Sequence, residues 1–170
     1  MLNFKRLATF TYRFIINHGY RGKHLHRITN YLWTHNFKRA SMIMMSLNHF
    51  LSTVGIGPGA KIHPTAQIVH GNVYIGQTAE IGPYCRISQN VTIGAKLKNL
   101  NQNKRSQAIL EHHVIVCTGA VILGAVTIGH NSVIGPNSVV TRSIPPYSIV
   151  TGNPARVHTR KSLTHVDDWG

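Results

Sequence analysis

Acidic residues are almost missing from this 170-residue chain. Glu80, Glu111, Asp167 and Asp168 stand against 18 Lys and Arg, leaving +14 before any of the 12 histidines is counted. A field of that sign draws anions: phosphorylated cofactors, acidic polysaccharide, nucleic acid or an anionic membrane surface. Charge alone does not choose among them. Cysteine is equally scarce. Cys85 and Cys117 lie far apart with no CxxC spacing, which favours buried free thiols and a reducing compartment. No stretch approaches 18 uncharged apolar residues, so no membrane span is expected. Lys5, Arg6 and Arg13 break up the apolar N-terminus, which also lacks a small-residue cleavage site, so a signal peptide is not expected either. Those absences place the chain in the cytoplasm, with the anionic inner face of the membrane as a surface it could meet. Metal signatures are missing too: no spacing among the histidines matches a zinc site, and no metal is expected. The basic residues are not interleaved with aromatics on a known motif, so no nucleic-acid partner is expected.

What the chain does have is a repeat. Steps of six lead from Ile56 to Ile62 and Ile68, and after one extra residue from Ile75 to Ile81, Ile87 and Ile93. The phase returns at Leu110, Val116, Ile122, Ile128, Ile134 and Val140, and Gly often follows, as in Ile75-Gly76 and Ile128-Gly129. A spacing of six fits neither a helix nor a simple strand. It fits short strands alternating with turns, one aliphatic side chain per strand pointing to a common axis, three strands to a coil and coils stacked on one another. Gly and Asn at the turns supply backbone conformations that β-branched residues avoid. The fold class is therefore mainly β, a left-handed parallel β-helix of hexapeptide repeats with an N-terminal α-helical segment and an extended loop.

Residues 1–54 follow another rhythm. They contain no Pro, and apolar residues recur at three and four: Leu7, Phe10, Phe14 and Ile15, then Leu25, Ile28 and Leu32, then Met42, Met45, Leu47 and Leu51. That spacing predicts helices over 2–17, 23–35 and 37–52. Eight basic residues fall here, from Lys5 to Arg39. Two readings of them stand side by side: a solvated face on helices that cap the first coil or help it oligomerise, or a surface that docks acidic polymer or lipid headgroups. Residues 95–109 break the repeat with a polar run and are expected to leave one face as a functional loop. The prolines at 145, 146 and 154 close the pattern, and 158–170 read as a tail. The expected organisation is a basic helical segment over 1–54, a β-helix domain over 55–157 and the tail.

Three stretches carry a resemblance: PGAKIHPTAQIVHGNVYIGQTAEIG (58–82), VILGAVTIGHNSVIGPNSVV (121–140) and IPPYSIVTGNPARV (144–157). They resemble the hexapeptide-repeat acyltransferases, and within them the serine acetyltransferases and their polysaccharide-modifying relatives. The resemblance implies acetyl-CoA as donor, a homotrimer with sites between subunits, and direct attack of an acceptor hydroxyl on the thioester. His70 falls at the family's general base. An unperturbed pKa near 6.5 suits imidazole to that task. By the same carry-over Ala95, Thr118, Gly119 and Pro136 would line the pantetheine arm, with Arg142 and Arg156 on the phosphates through charge-assisted bonds. Arg105, His112 and His113, around the loop and its exit, are candidates for the acceptor.

The chain departs from the serine acetyltransferase pattern at informative places. Gly55 stands where that group has the aspartate that orients the base, Val69 where it has an acid beside it, and Arg105-Ser106 where it has an Arg-His pair. An amino acid needs its charged ends recognised, and a sugar hydroxyl on a polymer does not. The first expectation is therefore O-acetylation of a capsular, exo- or lipopolysaccharide sugar, with an anionic polysaccharide as partner. Two rivals remain: a serine O-acetyltransferase of cysteine biosynthesis, and a non-catalytic β-helix scaffold or binding protein.

Overall fold

The computed structural model describes residues 2–96 and 106–159. Three helices come first: α1 (Leu2–Ile16), α2 (His18–Thr34) and α3 (Lys38–Ser52). The second begins five residues earlier than its apolar spacing predicts. Asn17 caps it, its side-chain oxygen accepting from the Tyr20 N–H at 2.8 Å. Gly19 and Gly22 lie inside the helix because both face the coil closely. A Cβ on Gly19 would sit 2.1 Å from the Ile68 carbonyl oxygen, and one on Gly22 would sit 2.7 Å from the Val54 Cβ.

The rest is a mainly β, left-handed parallel β-helix of stacked triangular coils. The first face carries β1 (Val54–Ile56), β4 (Val73–Ile75), β7 (Thr92–Gly94), β10 (Val121–Leu123) and β13 (Val139–Val140). The second carries β2 (Lys61–Ile62), β5 (Glu80–Ile81), β8 (Ile109–Leu110) and β11 (Thr127–Ile128). The third carries β3 (Gln67–Ile68), β6 (Arg86–Ile87), β9 (Ile115–Val116), β12 (Val133–Ile134), β14 (Ser148–Thr151) and β15 (Arg156–Thr159). Pairing is parallel in register with the repeat, so that Ile56 lies on Ile75, Ile75 on Ile93 and Ile93 on Ile122. Among the described residues only β15 pairs antiparallel, folding back on β14.

Every aliphatic of the repeat points inward. All are buried except Ile62, which is half-buried and packs against the rest. A strand alternates its side chains, so the residue two places earlier also points in. That position holds Ala60, Ala66, Ala79, Cys85, Ala108, Ala120, Ser132 and Ser138, and Val54, Val73, Val91, Val114 and Val126 elsewhere, all buried and none larger than valine. Toward the C-terminal end the serines reach the backbone: Ser132 Oγ donates to the Pro145 carbonyl at 3.1 Å and accepts from the Ser148 N–H at 3.2 Å.

The helices close the other end of the solenoid. The carbonyls of the first coil have no coil before them, and α2 supplies donors instead. Lys23 Nζ donates to the carbonyls of Pro64 (3.0 Å) and Ala66 (2.7 Å), His26 Nε2 to Ala60 (3.0 Å), and Asn30 Nδ2 to Pro58 (2.9 Å). Burial, with Arg27 nearby, pulls the Lys23 pKa down. The capping reading of the basic segment thus accounts for Lys23. Among the described residues no helix is long and apolar enough to cross a membrane.

Candidate active site

His70 occupies an unusual corner. Successive inward residues are six apart, but Ile68 and Ile75 are seven apart, and the extra residue lies in the turn from the third face to the first. The chain bends at His70-Gly71 and pushes the imidazole outward, where it is exposed. The bulge is pinned from both sides. Asn72, with φ 56°, donates its N–H to the Thr53 carbonyl at 2.9 Å, and Thr53 is the left-handed C-cap of α3. Gly71 must lack a Cβ, which would lie 2.1 Å from Thr53 Oγ1. No group among the described residues hydrogen-bonds the His70 ring. Both ring nitrogens are therefore open to a ligand or to a residue from another subunit.

The corner above and below His70 repeats up the solenoid. Thr118, Gly119 and Pro136 lie on it, in the turns between β9 and β10 and between β12 and β13. Gly119 has φ 72°, and a Cβ there would meet Asn137 Oδ1 at 2.1 Å, so only glycine fits. Ala95 and Arg142 lie on the opposite edge of the first face, in the turns toward the second. There Lys96 Nζ spans the coils to the Thr141 carbonyl at 2.6 Å. Arg156 lies on β15, on the third face. Arg142 and Arg156 are exposed and have no hydrogen-bond or ion-pair partner among the described residues. Thr118, Gly119 and Pro136 thus share the His70 corner, whereas Ala95 and the two free guanidinium groups lie on other edges or faces of the same chain.

His112 and His113 are elsewhere. They sit at the corner between the second and third faces, away from the corner of His70 in the same chain. They belong to a column of rings: Tyr84 stacks on His113 (4.9 Å between centroids), His112 on His130 (4.7 Å), and His130 meets Tyr147 edge-on (5.0 Å). Glu111 Oε2 accepts from His130 Nδ1 at 2.8 Å, and that contact holds the Glu111 carboxyl below its usual pKa. Arg105 and most of the loop lie outside the described residues. No cluster of His, Cys, Asp or Glu among the described residues could hold a metal ion.

The first face also carries a cleft of about 600 Å³ that the sequence did not reveal. Its walls include Met45 and His49 from α3, Gly55, Tyr74, Ala95 and Gln107. A Cβ on Gly55 would meet the Tyr74 ring at 2.9 Å and would lie 3.7 Å from His49 Nδ1. Tyr74 and His49 thus occupy the space in front of Gly55. Gln107 takes the end of the loop: Thr78 donates its N–H to Gln107 Oε1 at 2.9 Å, and the Thr78 hydroxyl bonds the same oxygen. Nothing local in the sequence marks His49 or Tyr74, since they meet only when α3 lies along β1 and β4.

The stacked six-residue solenoid behind N-terminal helices is the fold of the hexapeptide-repeat transferases. Residues 107–142 match the family described as bacterial transferase hexapeptide, six repeats. A serine acetyltransferase of Synechococcus elongatus is 36% identical over 146 residues, 85% of this chain and 59% of that one. That of Bacillus subtilis is 35% identical over 158 residues, 87% of this chain and 71% of that one. A solved serine acetyltransferase in complex with CoA superposes with a TM-score of 0.76 at 30% identity, covering 83% of this chain and 58% of its own when truncated and without ligand, 57% in the CoA complex. The chain belongs to the serine acetyltransferase family. It spans between about six-tenths and seven-tenths of the length of these curated relatives.

Proposed function

We propose that the chain is an O-acetyltransferase that moves acetyl from acetyl-CoA to L-serine, working as a cytoplasmic homotrimer. The observation that carries the reading is His70: an exposed imidazole with no hydrogen-bond partner among the described residues, held on a bulge and sharing its corner with Thr118, Gly119 and Pro136. His70 takes the proton from the acceptor hydroxyl as the oxygen attacks the thioester carbonyl carbon. The new C–O bond forms, the C–S bond breaks, and the imidazolium returns the proton to the departing sulfur. Direct transfer needs no acyl-enzyme. General-base help of this kind contributes about 10²–10⁴-fold. Ala95, Thr118, Gly119 and Pro136 would run beside the pantetheine arm, and Arg142 and Arg156 would meet the phosphates. Arg105, His112 and His113 would reach the acceptor from a neighbouring subunit.

A second reading keeps the chemistry and changes the acceptor to a sugar hydroxyl of a polysaccharide. It is favoured by Gly55 and Val69, which leave no carboxylate beside His70 for an ammonium group. The Synechococcus elongatus and Bacillus subtilis relatives, both serine acetyltransferases, favour serine. Thiol release from acetyl-CoA separates the readings. Release with L-serine that falls by about 10²–10⁴-fold in His70→Ala supports the first. Release only with an acidic bacterial polysaccharide, again lost in His70→Ala, supports the second. Release that survives His70→Ala removes the base from both.

A further inference from the structure

The third face carries a second cleft, about 430 Å³, between the N-terminal helices and β3 and β6. Arg13 of α1, Tyr20 and Lys23 of α2, Gln67 of β3 and Arg86 of β6 line it, and Val69, the residue before His70, forms part of its wall. Three cations converge there from three separate elements. No carboxylate among the described residues lines the cleft, and the described acids are engaged elsewhere: Glu80 with Lys61 at 2.9 Å, and Glu111 with His130.

The donors are also idle. The guanidinium groups of Arg13 and Arg86, the Gln67 amide and the Tyr20 hydroxyl have no hydrogen-bond partner among the described residues. Lys23 uses two of its protons on the Pro64 and Ala66 carbonyls, which fixes the ammonium at the cleft rather than leaving it loose on the surface. Two unpaired guanidinium forks and a fixed ammonium thus line one cleft, with no carboxylate among the described residues to meet them. Guanidinium binds carboxylate and phosphate through paired, charge-assisted bonds.

We propose that this cleft is an oxyanion-binding site, taking a phosphate or carboxylate group next to the His70 corner. The anion has two sources, the acceptor's own charged group or a free phosphate. Only the first source rests on the acetyl-transfer reading.

Isothermal titration with inorganic pyrophosphate at low salt tests the site without any turnover. With CoA saturating the phosphate site proposed at Arg142 and Arg156, saturable one-to-one binding is expected, weakened by about tenfold or more in Arg13→Ala/Arg86→Ala. Both side chains are exposed and unpartnered, so the double variant should keep its thermal midpoint. Lys38→Ala/Arg39→Ala removes the same charge from the start of α3 and should bind like the parent. Equal weakening in the two double variants would reduce the effect to the overall +14 field and overturn the site. Full binding by Arg13→Ala/Arg86→Ala would overturn it as well.

Acceptor titrations then separate the sources. A raised KM for L-serine with kcat kept in Arg13→Ala/Arg86→Ala assigns the anion to the acceptor. An unchanged KM together with lost pyrophosphate binding assigns it to a free phosphate. Pyrophosphate binding that depends on Arg13 and Arg86 in a protein that transfers acetyl to nothing would keep the site and remove the transfer reading.

Discussion

Single residues in this chain take their properties from the corner they occupy. Cys85 fills the small inward position of its coil, fully buried, with Sγ 2.8 Å from the Glu111 carbonyl. Burial pushes its thiol up to about 11, so the nucleophilic thiolate is scarce at pH 8. Cys117, half-buried, is raised by the same cause. A thiol reagent at pH 8 should label neither quickly in the folded protein, Cys85 least, and both at once in denaturant. Rapid labelling of Cys85 without denaturant would contradict the packing of that coil.

Glu111 shows the opposite sign. His130 holds its folded carboxyl below the unfolded value of about 4.3, chiefly through the side-chain hydrogen bond. The carboxylate's contribution is therefore present above that value and fades as pH drops through the lower folded one. The pair is partly exposed, so the effect is small. Glu111→Gln should lower the thermal midpoint slightly at pH 6, and the gap from the parent should close as pH falls below about 4. A gap that widens in acid would mean the contact does not form.

At the scale of elements, the helices and the solenoid depend on each other. An isolated first coil would present bare carbonyls at its edge, and the face of α2 would have nothing to cover. The contact works because α2 approaches within the reach of a single missing methyl group. Gly19→Ala places a Cβ against a backbone oxygen that cannot rotate away. Overpacking of this kind should cost about 1–3 kcal/mol, measured by urea unfolding, and should loosen the His70 bulge that α3 pins. In the middle of the solenoid Ile122 is fully buried. Ile122→Ala should cost about 2–5 kcal/mol in the same measurement, because rigid neighbouring coils cannot close over the gap. A cost near zero would argue against a single packed axis.

The whole molecule has a closed end at α2, and a last strand, β15, turned back against β14 at the other. Between them the first and third faces carry the exposed imidazole, two clefts and a basic field, with His112 and His113 at a different corner. A site that needs both groups has to be assembled from two copies. Light scattering should return a mass about three times the 18.9 kDa of the chain. A monomer would leave His112 and His113 outside any site built on His70.

The sequence by itself determined the solenoid, because a coil of three strands needs one inward aliphatic every six residues and any slip would expose them all. It also singled out His70, through the resemblance of its stretch to the family; that the extra residue of the repeat forms the bulge at His70 came from the fold. The sequence pointed to Gly and Asn at the turns, and the structure places Asn72, Asn90, Asn131 and Asn137 there, all at positive φ. It did not foretell Tyr84, His113 and Tyr147 in the same backbone state, which is tolerated where an exposed ring can lie on its neighbour in the next coil. Only the tertiary structure decided that Gly19 and Gly22 belong inside a helix, that His49 and Tyr74 fill the space at Gly55, and that Arg13, Lys23 and Arg86 share one cleft. Those contacts join residues far apart in the chain, and their geometry follows from how the helices lie on the coils, which no local spacing records.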